Sequence, residues 1–134
     1  MSEQKQVGRG SMETVILVVE DEFIIRDLVV EMLTEQGYRV LDAADGQTGL
    51  RLLQEAPRID VLIADVRMPG LDGHRLALAA QERWPDIKIL LTTGFADASL
   101  SKALTPGMEI VLKPFEVEAL LERVDRLTEG ALSA

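Results

Sequence analysis

The chain has 134 residues, with 23 acidic and 14 basic side chains, a formal net charge of -9, no cysteine and one histidine. This length fits a single domain with one hydrophobic core. Without cysteine the chain has no disulfides, no thiolate nucleophile and no cysteine-bound zinc, and one histidine cannot build a multi-histidine metal site. The acidic charge and the aromatic content of 4% argue against direct binding of nucleic acid.

The amino-terminal residues 1–13 are mostly polar and predict a loose lead-in, either native or left from cloning, since a second Met stands at position 12. They contain no apolar core of a signal peptide. The longest wholly apolar run, Val15–Val19, is far shorter than the roughly 20 residues of a membrane-spanning helix. We therefore expect a cytoplasmic protein that does not bind membranes.

Short runs rich in Val, Ile and Leu recur along the chain and are typical of strands buried on both faces of a parallel sheet. In chain order they lie at Val15–Val19, Ile59–Ala64, Ile87–Leu91 and Ile110–Leu112, and a weaker candidate lies at Tyr38–Ala43. The runs favour an α/β fold over a β-sandwich.

Segments with helical spacing of apolar residues separate the strands. The apolar residues with this spacing lie at Ile25–Leu33, Leu50–Leu53, Leu76–Arg83 and Val117–Leu127. A shorter segment with a weaker pattern lies at Asp97–Leu104. We expect Leu28 on the buried face of the first helix and a cap by Asp72 at the start of the third. In the third helix we expect a solvated His74, and at its end a partly buried Trp84. The last helix should end near Thr128. Five strand-helix repeats predict one parallel sheet with helices on both faces, in a single domain over residues 14–129 with a tail at 130–134.

Polar side chains follow four of the predicted strands, at the sheet edge where open α/β folds bind ligands. Glu20 and Asp21 follow the first strand, and Asp65 ends the third. Thr93 ends the fourth, and Lys113 follows the fifth. Taken singly, an acid beside a helix start or a turn has an ordinary local role. Together they predict a site with three carboxylates, a hydroxyl and an ammonium.

Three carboxylates at one place repel one another and raise at least one pKa unless a cation joins them. Oxygen ligands suit Mg²⁺, which one or two carboxylates hold together with phosphate oxygens. Asp65 is then a candidate nucleophile toward a phosphoryl group, forming an acyl phosphate. Lys113, the metal and a hydroxyl or backbone amide would each stabilise one phosphoryl oxygen.

Four motifs at the strand ends resemble those of one family. They are Ile16–Glu22, Asp65–Gly73, Thr93–Gly94 and Lys113–Phe115. In this order they are similar to the receiver domain of bacterial two-component response regulators, of the stand-alone, chemotaxis-regulator kind. The resemblance extends from Val15 to about Thr128. It implies a doubly wound, flavodoxin-like sheet with strand order 2-1-3-4-5.

The resemblance also implies roles for the site residues. Asp65 would accept a phosphoryl group from a phosphohistidine of a sensor kinase or a histidine phosphotransfer protein. Asp21 and Asp65 would bind Mg²⁺ directly, Glu20 through water, and the backbone carbonyl of Arg67 would be a further ligand. Such a chain is a phosphoacceptor rather than a turnover enzyme, although it can dephosphorylate itself.

The switch implied by the resemblance has two more residues. Thr93 would be the switch hydroxyl, with Thr92 as the alternative if the register is off by one, and Lys113 would contact the phosphoryl group. Ile110 stands where many receivers carry an aromatic ring, so a ring flip is not available. The short fourth crossover, which contains Pro106, implies a small, mobile fourth helix. This helix and the fifth strand would form the surface that binds an unknown downstream protein.

Two other classes of protein use similar elements. Phosphatases of the haloacid-dehalogenase type also have a strand-end Asp nucleophile, but they need a second Asp where this chain has Arg67. Flavodoxin-type flavin domains need a Ser, Thr and Gly-rich phosphate loop where this chain has acids. If the chain is a receiver, three roles remain open: a separate messenger, a phosphorelay intermediate and a receiver cut from a hybrid kinase. Its oligomeric state also remains open between a monomer and a phosphorylation-dependent dimer.

Overall fold

The computed structural model describes residues 13–95 and 98–133, with side chains up to Thr128. It contains one sheet of five strands in the order β2-β1-β3-β4-β5. The strands are β1 (Val15–Val19), β2 (Arg39–Ala43), β3 (Val61–Asp65), β4 (Lys88–Thr93) and β5 (Met108–Leu112). Every neighbouring pair is parallel. The predicted fold class and strand order are therefore confirmed, whereas the expected lead-in falls almost wholly outside the described residues.

A helix follows each strand. The helices are α1 (Phe23–Glu35), α2 (Gly46–Glu55), α3 (Gly73–Arg83), α4 (Ala98–Lys102) and α5 (Val117–Ser133). In the described part of the chain, no helix has the length and apolar character needed to cross a bilayer.

The two faces of the sheet carry separate cores because successive strand residues point to opposite faces. Leu17 and Val19 of β1 pack with α2 and α3, and Ile16 and Val18 pack with α1 and α5. A fully buried aliphatic side chain such as Leu17 contributes about 2 kcal/mol. The helices therefore hold the sheet from both sides and leave the carboxyl ends of the strands open for a site.

The strand bounds differ from the expected apolar runs by one or two residues. Ile59 and Ile87 are buried but lie before β3 and β4, because burial extends into the connections. β5 begins at Met108 rather than at Ile110. The charge of Glu109 interrupts the apolar pattern there, and Arg123 of α5 pairs with it at 2.9 Å.

Three expectations about the helices were wrong. Leu28 is 43% exposed, whereas Val29 and Leu33 of the same predicted face are buried. α5 does not run out near Thr128 but continues to Ser133. His74 is half-buried rather than solvated, with its Nε2 3.2 Å from the Ala103 carbonyl. By contrast, α4 is short and buries no residue, and Trp84 is half-buried at the end of α3, as expected.

Aspartates cap two helices on the same side of the sheet. The backbone N–H groups of Thr48 and Arg75 donate to Asp45 and Asp72, each at 2.8 Å. The cap by Asp72 was expected from the sequence. The hydrogen bond from the Thr48 backbone holds the pKa of Asp45 below its ordinary value.

This lowered pKa predicts a pH-dependent contribution of Asp45 to stability. A carboxylate with a lowered folded pKa stabilises the fold above its unfolded pKa of about 3.9, and loses this effect as the pH falls through the folded pKa. We expect Asp45→Ala to lower the melting temperature at pH 7, with a gap to wild type that narrows below about pH 4. Asp45→Asn, which keeps a neutral cap, is the control. A gap of the same size at every pH would contradict the charge contribution.

Candidate functional site

The acidic residues come together because β1 and β3 are adjacent and parallel. Glu20 directly follows β1, and its backbone N–H donates to the Ala43 carbonyl at 3.1 Å. Asp65 is the last residue of β3. Carboxylate oxygens of Glu20, Asp21 and Asp65 all lie within 4.8 Å of one another. Glu20 and Asp65 are only 4% and 6% exposed, whereas Asp21 faces solvent.

Lys113 brings an ammonium group into the same cluster. Its Nζ lies 2.9 Å from Oε1 of Glu20 and 3.0 Å from Oδ2 of Asp65. Its backbone N–H donates to the Thr93 carbonyl at 2.7 Å, which anchors the connection after β5. Burial opposes the charged ammonium, but the hydrogen bonds to Glu20 and Asp65 outweigh this and raise the pKa of Lys113. The side chain is therefore a cation at neutral pH.

One ammonium does not balance three carboxylates. Burial raises the pKa of Glu20 above its ordinary value, although the Glu22 backbone N–H and Lys113 partly oppose this shift. An all-oxygen donor set with surplus negative charge, open to solvent at Asp21, fits a hard divalent cation such as Mg²⁺.

The connection after β3 orients the Asp65 carboxylate. The Arg67 backbone N–H donates to Oδ1 of Asp65 at 3.1 Å. The exposed Arg67 guanidinium carbon lies 5.9 Å from the centre of the Phe95 ring, so side chains from the connections after β3 and β4 approach each other. Gly73 lies so close that a Cβ atom there would be 2.2 Å from the Asp65 carbonyl oxygen.

The structure does not bring the Thr93 hydroxyl onto the acidic cluster. This hydroxyl donates to the Phe95 carbonyl at 2.9 Å and accepts from the Phe95 N–H at 3.1 Å. Thr92 is the residue that pairs with Asp65 in the sheet. Glu22 also lies at the rim, where its Oε1 is 3.5 Å from the Lys113 Nζ, and it makes no capping hydrogen bond with its side chain. Asp21, Glu20, Asp65 and Lys113 are therefore the groups that meet.

Comparison with known proteins identifies the family. The family model described as response regulator receiver domain matches residues 16–125. The chain belongs to this family. It is 33% identical to the response regulator receiver protein CpdR of Brucella abortus over 118 residues, which covers 87% of this chain and 98% of CpdR. Receiver domains accept phosphoryl groups in two-component signalling, and the family binds Mg²⁺ at an acidic pocket.

Other receivers match in sequence and in fold. The chain is 31% identical to the sensor kinase CckA of Brucella abortus, covering 96% of this chain but 14% of CckA. Chemotaxis protein CheY4 of Vibrio cholerae superposes with a TM-score of 0.78 at 31% identity, covering 86% of this chain and 98% of CheY4. The receiver domain from hybrid histidine kinase CckA gives 0.74 at 34% identity, covering 84% and 97%. This receiver thus resembles both separate regulators and a domain of a longer kinase.

Three further residues around the site were not identified from the sequence. Gly73 is part of the Asp-Gly pair that begins α3, so its motif offered a signal. Phe95 and Arg26 offered none, because an aromatic residue after a strand and an arginine in a helix are common. Their roles depend on contacts that exist only in the folded chain.

Proposed function

We propose that the chain is a receiver whose Asp65 takes a phosphoryl group from a phosphohistidine of a sensor kinase or a histidine phosphotransfer protein. The observation that carries the proposal is the meeting of Glu20, Asp21 and Asp65 within 4.8 Å, with Lys113 bound to Asp65. We assign the whole of residues 14–129 to this unit and place it in the cytoplasm, with no nucleic acid as partner.

The transfer step uses few protein groups. An Asp65 oxygen forms a bond to phosphorus while the P–N bond breaks and its electron pair returns to the donor imidazole. Lys113 is already 3.0 Å from this carboxylate, so its ammonium is in reach of a phosphoryl oxygen on Asp65. Preorganised positive charge of this kind is the main source of catalysis in phosphoryl transfer.

Mg²⁺ would be held by Asp21, Asp65 and the Arg67 backbone carbonyl, with Glu20 acting through water. When bound, the ion would neutralise carboxylate charge and stabilise the negative charge of the phosphoryl oxygens. The meeting of three carboxylates within 4.8 Å, with surplus negative charge, supports this assignment.

The output would begin at Thr93. Its hydroxyl is bonded to Phe95, three residues before α4, so a move toward a phosphoryl group on Asp65 would release Phe95. α4 buries no residue and can shift at little packing cost. We therefore assign the surface of α4 and β5 to binding of a downstream protein, with Ile110 repacking rather than an aromatic ring turning.

The proposal is tested by phosphoryl transfer from a radiolabelled histidine phosphotransfer protein, with Mg²⁺ and with EDTA. We expect up to one phosphoryl group per chain with Mg²⁺, almost none with EDTA, and no sustained hydrolysis of p-nitrophenyl phosphate. Equal incorporation in EDTA would contradict the metal site. Steady turnover of the ester would instead favour the phosphatase class, although the general-acid position of that class holds Arg67.

We expect the contact between Arg67 and Phe95 to lengthen the lifetime of the phosphorylated state. Arg67 follows Asp65 by two residues and its guanidinium lies 5.9 Å from the Phe95 ring, so we propose that this pair restricts the access of water to the acyl phosphate and that loss of the Arg67 side chain admits it. We expect Arg67→Ala to shorten the dephosphorylation half-life about threefold, which corresponds to about 0.7 kcal/mol in the barrier. Arg126→Ala on α5 removes the same charge from an exposed position and serves as control. An unchanged half-life in Arg67→Ala would remove this role.

A further inference from the structure

Arg26 of α1 binds the connection that carries the acidic pair. Its Nη1 donates to the Glu20 backbone carbonyl at 2.8 Å. Its Nε lies 3.4 Å from Oδ2 of Asp42 on β2, and its guanidinium carbon is 5.7 Å from the centre of the Phe23 ring. The side chain is only 16% exposed. Arg26 therefore joins α1, β2 and the end of β1 through one planar group.

The contacts of Arg26 fix the backbone that positions Glu20 and Asp21. The Glu20 N–H is held by the Ala43 carbonyl of β2, and the Glu20 carbonyl is held by Arg26. The sheet thus holds the peptide that precedes Glu20, and the guanidinium holds the next one, the peptide between Glu20 and Asp21. Rotation of this peptide would carry both carboxylates away from Asp65.

We propose that Arg26 is a positioning residue for the divalent cation of this site. It acts through the Glu20 carbonyl and not through a carboxylate of the cluster. The inference rests on the proposed function, because it concerns the Mg²⁺ that Glu20, Asp21 and Asp65 would hold. Groups that orient metal ligands from outside the coordination sphere change metal affinity by roughly 10- to 100-fold.

Charge and positioning predict opposite effects of removing Arg26. A cation near the site repels Mg²⁺, so loss of its charge alone would tighten binding. Asp42, however, pairs with this charge and is half-exposed, so that solvent and the ion pair both weaken the repulsion. Loss of the bond to the Glu20 carbonyl would loosen binding. The sign of the change in Mg²⁺ affinity therefore separates the two roles.

The experiment is a calorimetric titration of the unphosphorylated full chain with MgCl₂. We expect Arg26→Met, which keeps an unbranched apolar stem, to weaken Mg²⁺ binding about tenfold. Arg26→Lys, which keeps the charge and a single donor nitrogen, should recover part of the affinity. Asp42→Asn leaves the carbonyl bond in place and should change the affinity by less than about threefold. Thermal unfolding in EDTA gives the stability of each variant separately.

Several outcomes would overturn the role of Arg26. One is unchanged or tighter Mg²⁺ binding by Arg26→Met, and another is a loss of stability in EDTA without a change in Mg²⁺ affinity. If Arg26→Met does not fold, the inference requires Arg26→Lys to bind Mg²⁺ more weakly than wild type, and wild-type affinity in that variant would refute it. If the wild-type protein binds no Mg²⁺, the proposed metal site itself is wrong. If the wild type binds Mg²⁺ and Arg26→Met binds it equally well, only the role of Arg26 is wrong.

Discussion

Asp65→Asn is expected to abolish phosphoryl transfer to the chain, with a loss of at least about a thousandfold in rate, as for removal of other enzymatic nucleophiles. The amide oxygen can still accept the Arg67 N–H, so the local backbone is kept. It cannot form the acyl phosphate, and the charge that faces Lys113 is lost. The measurement is the initial rate of radiolabel incorporation from a phosphorylated donor protein.

Asp72→Asn is the matched control for this prediction. It makes the same chemical change a few residues later, and Asn can still cap α3 by accepting from the Arg75 N–H. We expect wild-type incorporation in this variant. Transfer to Asp65→Asn at the wild-type rate would mean that another side chain, such as Asp21, accepts the phosphoryl group.

Gly73→Ala is expected to have the largest effect on stability. A Cβ atom at this position would lie 2.2 Å from the carbonyl oxygen of Asp65 and 2.7 Å from its carbonyl carbon. Neither atom can move without shifting the end of β3. Overpacking of this kind costs about 1–3 kcal/mol or more, which corresponds to a melting temperature several degrees lower. Because the shift would displace Asp65, we also expect slower phosphorylation in the variant that folds.

Gly94→Ala is the control for Gly73→Ala. Gly94 follows Thr93 at the same edge of the sheet, but a Cβ atom there would meet nothing within 4 Å. We expect its free energy of unfolding to stay within about 0.5 kcal/mol of wild type. Equal melting temperatures for the two variants would show that the backbone near Asp65 yields more easily than its contacts indicate.

The apolar runs in the sequence were sufficient for the fold class, because strands buried on both faces of a parallel sheet are nearly continuous apolar runs. The prediction was less accurate at the ends of strands, because residues there can be buried without taking part in the hydrogen bonds of the sheet. Ile59 is buried before β3 begins, and Glu109 lies inside β5, an edge strand in which its side chain is partly exposed and pairs with Arg123. The helical pattern also placed Leu28 on the wrong face, since spacing alone does not distinguish the buried stripe from its edge.

Convergence of the acids was predictable because strand ends in a parallel sheet meet at one edge. The strand order itself came from family resemblance rather than from the apolar pattern. The contacts between the connections could not be foreseen. Two examples are the hydrogen bond from the Thr93 hydroxyl to Phe95 and the one from Arg26 to the Glu20 carbonyl. Each depends on loop geometry that no spacing rule specifies.

The most direct test is to locate the phosphoryl group on the chain. The phosphorylated protein is reduced with borohydride, which converts aspartyl phosphate to homoserine, and is then digested with trypsin and analysed by mass spectrometry. Cleavage after Arg58 and Arg67 releases residues 59–67, in which fragmentation distinguishes Asp60 from Asp65. We predict homoserine at position 65. Homoserine at Asp60, or at Asp21 in another peptide, would contradict the assignment of Asp65 as the phosphoacceptor.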